Sequence, residues 1–151
     1  MTHFRKDKIF ILLLLFHCLI GNVSANADPV EQAILSPLAA RSLLLDIDKA
    51  EGLFVMVGER GHILYSQDGR DWKQARVDTR ATLTAVYLLN NKIGWAVGHD
   101  ATILRTEDGA QTWQKLFSDI HEEAPLLDVI FNDALHGIAI GAYGLIYETH
   151  N

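Results

Sequence analysis

The chain has 151 residues, and its 19 acidic against 13 basic residues leave a net charge of −6. That balance argues against nucleic acid and anionic lipid headgroups as main partners, since both select positive surface. One cysteine, Cys18, excludes an intrachain disulfide framework, and nothing else in the composition marks low complexity or a proline-rich linker.

Residues 1–27 read as an export signal. Arg5, Lys6 and Lys8 form a basic start, Ile9 to Ile20 is apolar apart from His17, and Ser24-Ala25-Asn26-Ala27 offers an Ala-x-Ala cleavage site. The apolar stretch is shorter than the roughly 20 residues a spanning helix needs. An uncleaved membrane anchor is the bland alternative, and His17 before Cys18 stands where a lipobox wants a small residue. Cleavage predicts an exported, periplasmic protein without a stable membrane span, carrying ten basic and eighteen acidic residues and no cysteine. Thiolate catalysis and cysteine-ligated metal sites leave with the signal.

Residues 28–41 form a leader. Ser36-Pro37 suits either a helical turn reaching Ala40, with serine as cap and proline in the first position, or a loop or edge strand. From residue 42 onward, short apolar runs alternate with turn signals, which predicts an all-β fold. The predicted strands are 43–47, 53–57, 62–66 and 72–77, then 83–89, 94–97, 102–106 and 112–116, then 126–131, 137–140 and 145–148. Runs such as Leu43-Leu44-Leu45 and Ile138-Ala139-Ile140 are apolar on both faces, as strands sandwiched between neighbouring sheets must be. Gly58, Gly98 and Gly141 are 40 and 43 residues apart, and Ser66, Thr106 and Thr149 repeat that spacing. A period in the forties is the length of a four-stranded antiparallel propeller blade. The blades fall at about 42–78, 82–118 and 125–151, the third lacking its last strand.

Each repeat closes on one phrase: Ser66-x-Asp68-Gly69-x-x-Trp72, then Thr106-x-Asp108-Gly109-x-x-Thr112-Trp113, then Thr149 with Asn151 at the aspartate position. Glycine accepts the positive φ of a hairpin turn, the aspartate can accept hydrogen bonds from the turn's own N–H groups, and tryptophan can cover the hairpin. Repetition at every blade marks a structural brace, because a catalytic site converges once. The first copy is one residue shorter, which predicts a tighter loop. Gly58, Gly98 and Gly141 are expected to permit the reversal between second and third strands.

These phrases resemble the Asp-box of the BNR repeat. Gly94-Trp95-Ala96-Val97-Gly98-His99 and Ile103-Leu104-Arg105-Thr106-Glu107-Asp108-Gly109 narrow the resemblance to the photosystem II stability/assembly factor family, over residues 42–151. The resemblance implies a seven-bladed propeller of roughly 290 blade residues, of which this chain would hold two blades and three strands of another, as a fragment or truncated product. It also implies an exported, non-enzymatic factor that holds a protein client, such as an envelope membrane protein, on an arginine-rich face. Arg60, Arg70, Arg76, Arg80 and Arg105 are the arginines considered for such a face, while the binding residues themselves stay open. No cofactor is expected.

Two other chemistries fit the sequence less well. A sialidase-like glycoside hydrolase on the same repeat would need an arginine triad and a tyrosine nucleophile; only Arg41 could match the first arginine, and Tyr65, Tyr87, Tyr143 and Tyr147 fall in or beside strands, where an aromatic packs. Metal binding through His99-Asp100 or His121-Glu122-Glu123 lacks a trustworthy spacing. A short stack of blades is also expected to leave apolar faces open and to aggregate.

Overall fold

The computed structural model describes residues 8–9 and 31–150, of which Lys8, Ile9 and His150 by backbone alone. Residues 1–27, read above as an export signal, therefore lie outside the described residues except for Lys8 and Ile9, and Asn151 lies outside too. Three antiparallel sheets follow one another along the chain. Blade one comprises β2 (Leu44–Ala50), β3 (Leu53–Gly58), β4 (Ile63–Ser66) and β5 (Lys73–Gln74), in that spatial order. Blade two runs β7 (Leu83–Leu88), β8 (Gly94–Gly98), β9 (Ile103–Thr106) and β10 (Thr112–Phe117). Blade three has β11 (Leu126–Phe131), β12 (His136–Gly141) and β13 (Ile146–His150), and the two-residue β1 (Lys8–Ile9) pairs in parallel with the outer edge of β13.

The innermost strands β2, β7 and β11 stack in sequence, and each carries a β-bulge at the same place, at 44/46, 83/85 and 126/128. Two apolar layers result. Leu53, Val55, Val57 and Ile63 of blade one meet Leu83, Val86, Ala96, Leu104 and Trp113 of blade two. The other face of blade two sends Trp95, Val97 and Ala85 against Leu126, Val129, Phe131 and Tyr147 of blade three. Trp95 and Phe131 stack with ring centroids 3.5 Å apart and planes 5° from parallel. The central blade thus packs on both faces, most completely at β8, which is buried along its whole length.

Two expectations need correction. The strand predicted over 72–77 is divided at the fully buried Ala75: Lys73–Gln74 closes blade one, whereas Arg76–Val77 (β6) runs parallel to β10 of blade two, pairing Arg76 with Thr112 and Val77 with Trp113. The glycines at 58, 98 and 141 are not the turn-formers. Gly58 and Gly141 are extended, and the positive φ values fall further on, at Arg60 (56°), Gly61 (71°), Tyr143 (56°) and Gly144 (79°). The glycines are there for close approach. After each, the next residue's N–H donates to a carbonyl just before the first strand: Glu59 to Leu43 at 3.0 Å, His99 to Thr82 at 2.9 Å and Ala142 to Pro125 at 3.0 Å. A Cβ at Gly58 or Gly98 would lie 2.0 or 2.1 Å from that oxygen.

The leader takes the turn form. A 3₁₀ helix (Ala39–Arg41) follows Ser36, whose carbonyl accepts from Ala39 N–H and whose Oγ accepts from Leu38 N–H at 3.1 Å. Among the described residues no helix is long and apolar enough to cross a membrane.

Candidate functional site

The Asp-box residues form matching hairpin loops on successive blades. Ser66 Oγ donates to Asp68 Oδ1 at 2.9 Å and accepts from Gly69 N–H, while Asp68 Oδ1 accepts from the N–H groups of Arg70 and Asp71 at 2.8 and 2.9 Å. Thr106 Oγ1 donates to Asp108 Oδ1 at 2.9 Å, and that oxygen accepts from the N–H groups of Gln111 and Thr112. The longer second copy fits its extra residue by placing Ala110 at φ 67°, with its N–H on Thr106 Oγ1. Gly69 and Gly109 have φ of 70° and 74°. Trp113 is buried with its indole N–H on Ala110 O, and Trp72 sits edge-on to Phe54, centroids 6.5 Å apart.

The N–H donors of Asp71 and Arg70, then the Ser66 hydroxyl, hold the Asp68 carboxyl below the usual range. Burial pushes Asp108 upward, but the Thr112 hydroxyl and N–H, with Thr106 and Gln111, outweigh it and lower the pKa. Both groups are therefore carboxylates at neutral pH, each engaged by its own loop. Thr149 lies on β13 opposite Gly137, and Asn151 falls outside the described residues.

A second constellation is assembled where the leader crosses blade one. A cleft of about 590 Å³ is lined by Arg41, Arg60 and Arg80, with His62, Glu59 and Ser36 among its neighbours. Arg60 stands at the tip of the β3–β4 turn, Arg41 ends the 3₁₀ helix, and Arg80 comes from the segment joining blades one and two. Arg80 is committed on one side, with Nε on Gln32 O and a guanidinium nitrogen 3.0 Å from Glu31. Neither the Arg41 nor the Arg60 guanidinium has an ion-pair or hydrogen-bond partner among the described residues. Three guanidiniums on one concave surface favour a carboxylate, which arginine binds in fork geometry.

Gln74 fixes this arrangement. Its Oε1 accepts from Ser36 N–H at 2.7 Å, and its Nε2 donates to Ile34 O and to His62 Nδ1, both at 3.0 Å. The amide orientation set by Ser36 and Ile34 makes His62 Nδ1 an acceptor, so the ring proton sits on Nε2. Burial lowers the His62 pKa, Glu59 opposes that and Arg60 adds to it. The neutral ring is thus the form that docks the leader, and its stabilising contribution is complete above the unfolded-state pKa near 6.5 and declines as pH falls below it. Acidification from pH 7.5 to 5.5 is expected to speed amide exchange over residues 31–42. His62→Gln should flatten that pH dependence; an unchanged profile in the variant would dismiss the latch.

Of the arginines considered from sequence, Arg60 and Arg80 share the cleft. Arg70 lies by the Asp68 loop and Arg76 on β6. Arg105 lines a separate cavity of about 60 Å³ between blades two and three, ion-paired to Glu107 at 2.8 Å and 5.5 Å from the Trp95 ring. Nothing in the sequence marks Arg41, Gln74 and His62 for this surface, because they lie on separate segments and meet only in the fold. None of Tyr65, Tyr87, Tyr143 and Tyr147 lines the arginine cleft. Tyr147 is buried, whereas Tyr143, expected to pack, is 98% exposed at a turn tip. His99 and Asp100 occupy a turn and not a strand, and among the described residues no three His, Cys, Asp or Glu side chains are placed to hold a metal ion.

Radial four-stranded blades closed by Asp-box hairpins define a β-propeller repeat protein, here an arc of the ring. A family model described as Photosynthesis system II assembly factor YCF48 matches residues 64–124. Photosystem II assembly protein Ycf48 of Thermosynechococcus vestitus is 36% identical over 47 residues, 31% of this chain and 14% of that protein. A solved structure of YCF48 bound to D1 peptide superposes with a TM-score of 0.63 at 22% identity, covering 84% of this chain and 42% of the other. YCF48 from Cyanidioschyzon merolae gives 0.63 at 23% identity, covering 80% and 40%. Over part of its length the chain is thus similar in sequence to photosystem II assembly proteins, it shares the fold of the solved structures, and it spans about two-fifths of their length.

Proposed function

We propose that the chain is part of an exported, non-enzymatic propeller that holds a protein client, an envelope membrane protein, by a carboxylate-bearing segment in the Arg41–Arg60–Arg80 cleft. The observation that carries this is the convergence of three arginines, two of them without an acidic partner among the described residues. Support also comes from the similar structure of YCF48, which was solved bound to D1 peptide. The basic start, apolar run and Ala-x-Ala site of residues 1–27 support export. An acidic molecule with one basic concavity would present that concavity selectively to anionic segments.

The test is crosslinking capture from an envelope fraction, followed by mass spectrometry. The wild-type chain is expected to recover a specific membrane protein. Arg60→Asn, which keeps a residue tolerant of the left-handed backbone at this position, should cut recovery about tenfold when combined with Arg41→Gln, and raised salt should do likewise. Equal capture by the double variant would refute the cleft; capture of nothing above background would refute the client-holding function.

A further inference from the structure

The leader is tied to the blades at both of its ends. Ala33 N–H donates to Val77 O at 2.9 Å, and Leu43 N–H donates to Glu59 Oε1 at 3.1 Å. Between those ties, the hydrogen bonds that join residues 34–41 to blade one among the described residues all end on the Gln74 amide. Its Oε1 accepts from Ser36 N–H at 2.7 Å and its Nε2 donates to Ile34 O at 3.0 Å. Ile34, Leu38 and Arg41, which line the arginine cleft, ride on that span.

The same amide answers to His62, which is 5% exposed and accepts from Nε2 on its Nδ1 at 3.0 Å. With a neutral ring, one amide orientation satisfies all three contacts. With a proton on Nδ1, neither orientation does. Left in place, Nε2 confronts a second donor. Turned over, Oε1 accepts from the ring but faces Ile34 O, while Nε2 faces Ser36 N–H. Protonation therefore either traps two opposed donors or gives up both leader contacts. The charged groups about the ring are Glu59 and Arg60 of the β3–β4 turn, with Arg41 and Arg80 on the other walls of the cleft. Glu59 favours a charged ring, whereas burial and Arg60 disfavour it.

We propose that Gln74 and His62 form a proton-operated gate on the arginine cleft: when His62 takes a proton the amide releases residues 34–41, Arg41 withdraws with them, and a bound carboxylate segment is let go. The gate rests on the reading of the cleft as a carboxylate site. Its sign is opposite to that of a rigid cleft, where an imidazolium would add a positive charge and tighten the hold on an anion. Linkage also runs backwards, so an anion that needs the seated leader must keep it seated in acid. One proton on a group with a free pKa near 6.5 shifts the seating equilibrium by at most about tenfold between pH 7.5 and 5.5.

Calorimetry of the full chain with an end-blocked triaspartate peptide, whose carboxylates stay ionised over that range, reads the gate without the client. Wild-type affinity is expected to fall about fivefold from pH 7.5 to 5.5. His62→Asn, whose Oδ1 accepts from Gln74 at either pH, should hold the higher affinity throughout. Gln74→Ala, which removes the seat, should bind weakly at both. Amide exchange over residues 34–41, relative to its intrinsic rate, should rise at pH 5.5 in the wild type and be slowed again by the peptide. A wild-type affinity that holds or rises in acid, a fall that His62→Asn retains, or no binding at pH 7.5 would overturn the proposal. Failed capture from an envelope fraction, with the peptide still released by acid, would uphold the gate and refute the client-holding function alone.

Discussion

Replacing Trp113 with alanine is expected to cost about 3–5 kcal/mol, enough to unfold much of the chain at ambient temperature. Trp113 is 1% exposed, fills the layer between blades one and two, and satisfies its indole N–H on Ala110 O at 3.2 Å. Its removal opens a cavity that rigid strands on both sides cannot close. Trp72 occupies the same place in its repeat but lies on the open side of the arc, so Trp72→Ala should cost only about 1–2 kcal/mol. Urea titrations of both variants, followed by circular dichroism, measure the difference. Equal costs would mean that the layer between the blades is not what the Asp-box tryptophan stabilises.

Gly98→Ala is the second large effect expected, at about 3–4 kcal/mol, although it adds one methyl group to an extended residue. The new Cβ would lie 2.1 Å from Thr82 O and 2.8 Å from Leu83 Cα, both backbone. Neither can yield without breaking the 2.9 Å bond from His99 N–H to Thr82 O, which fixes the entrance of blade two. Gly52→Ala offers the contrast: its Cβ would meet nothing within 4 Å, so only the strain of φ 87° remains. Comparable melting temperatures for Gly98→Ala and wild type would refute the close-approach account.

Most of the strand order was legible because the signals were local. Asp68-Gly69 and Asp108-Gly109 bound their hairpins, but the apolar runs expected to be covered on both faces are not: Leu43, Leu45, Ile138 and Ile140 are exposed, because blades one and three each have only one neighbouring blade among the described residues. The division at Ala75 was not legible: 72–77 reads as one strand, and only the proximity of β10 decides that Arg76 and Val77 leave blade one. Glycine is equally ambiguous in a sequence, since freedom of φ and the absence of a side chain look the same; the carbonyls of Leu43, Thr82 and Pro125 tell them apart. The arginine cleft was hidden for a further reason. Arg41, Arg60 and Arg80 come from a leader, a turn and a connection between blades, and they meet only because Gln74 and His62 seat that leader.

By transferring Arg76 and Val77 of the short strand β6 to its successor's rim, the chain stitches blades one and two together, so the residues that close the first repeat in sequence belong to the second sheet in the fold. A variant that begins after Asp78 would strip blade two of that strand, whereas one that begins after Gln74 would keep it.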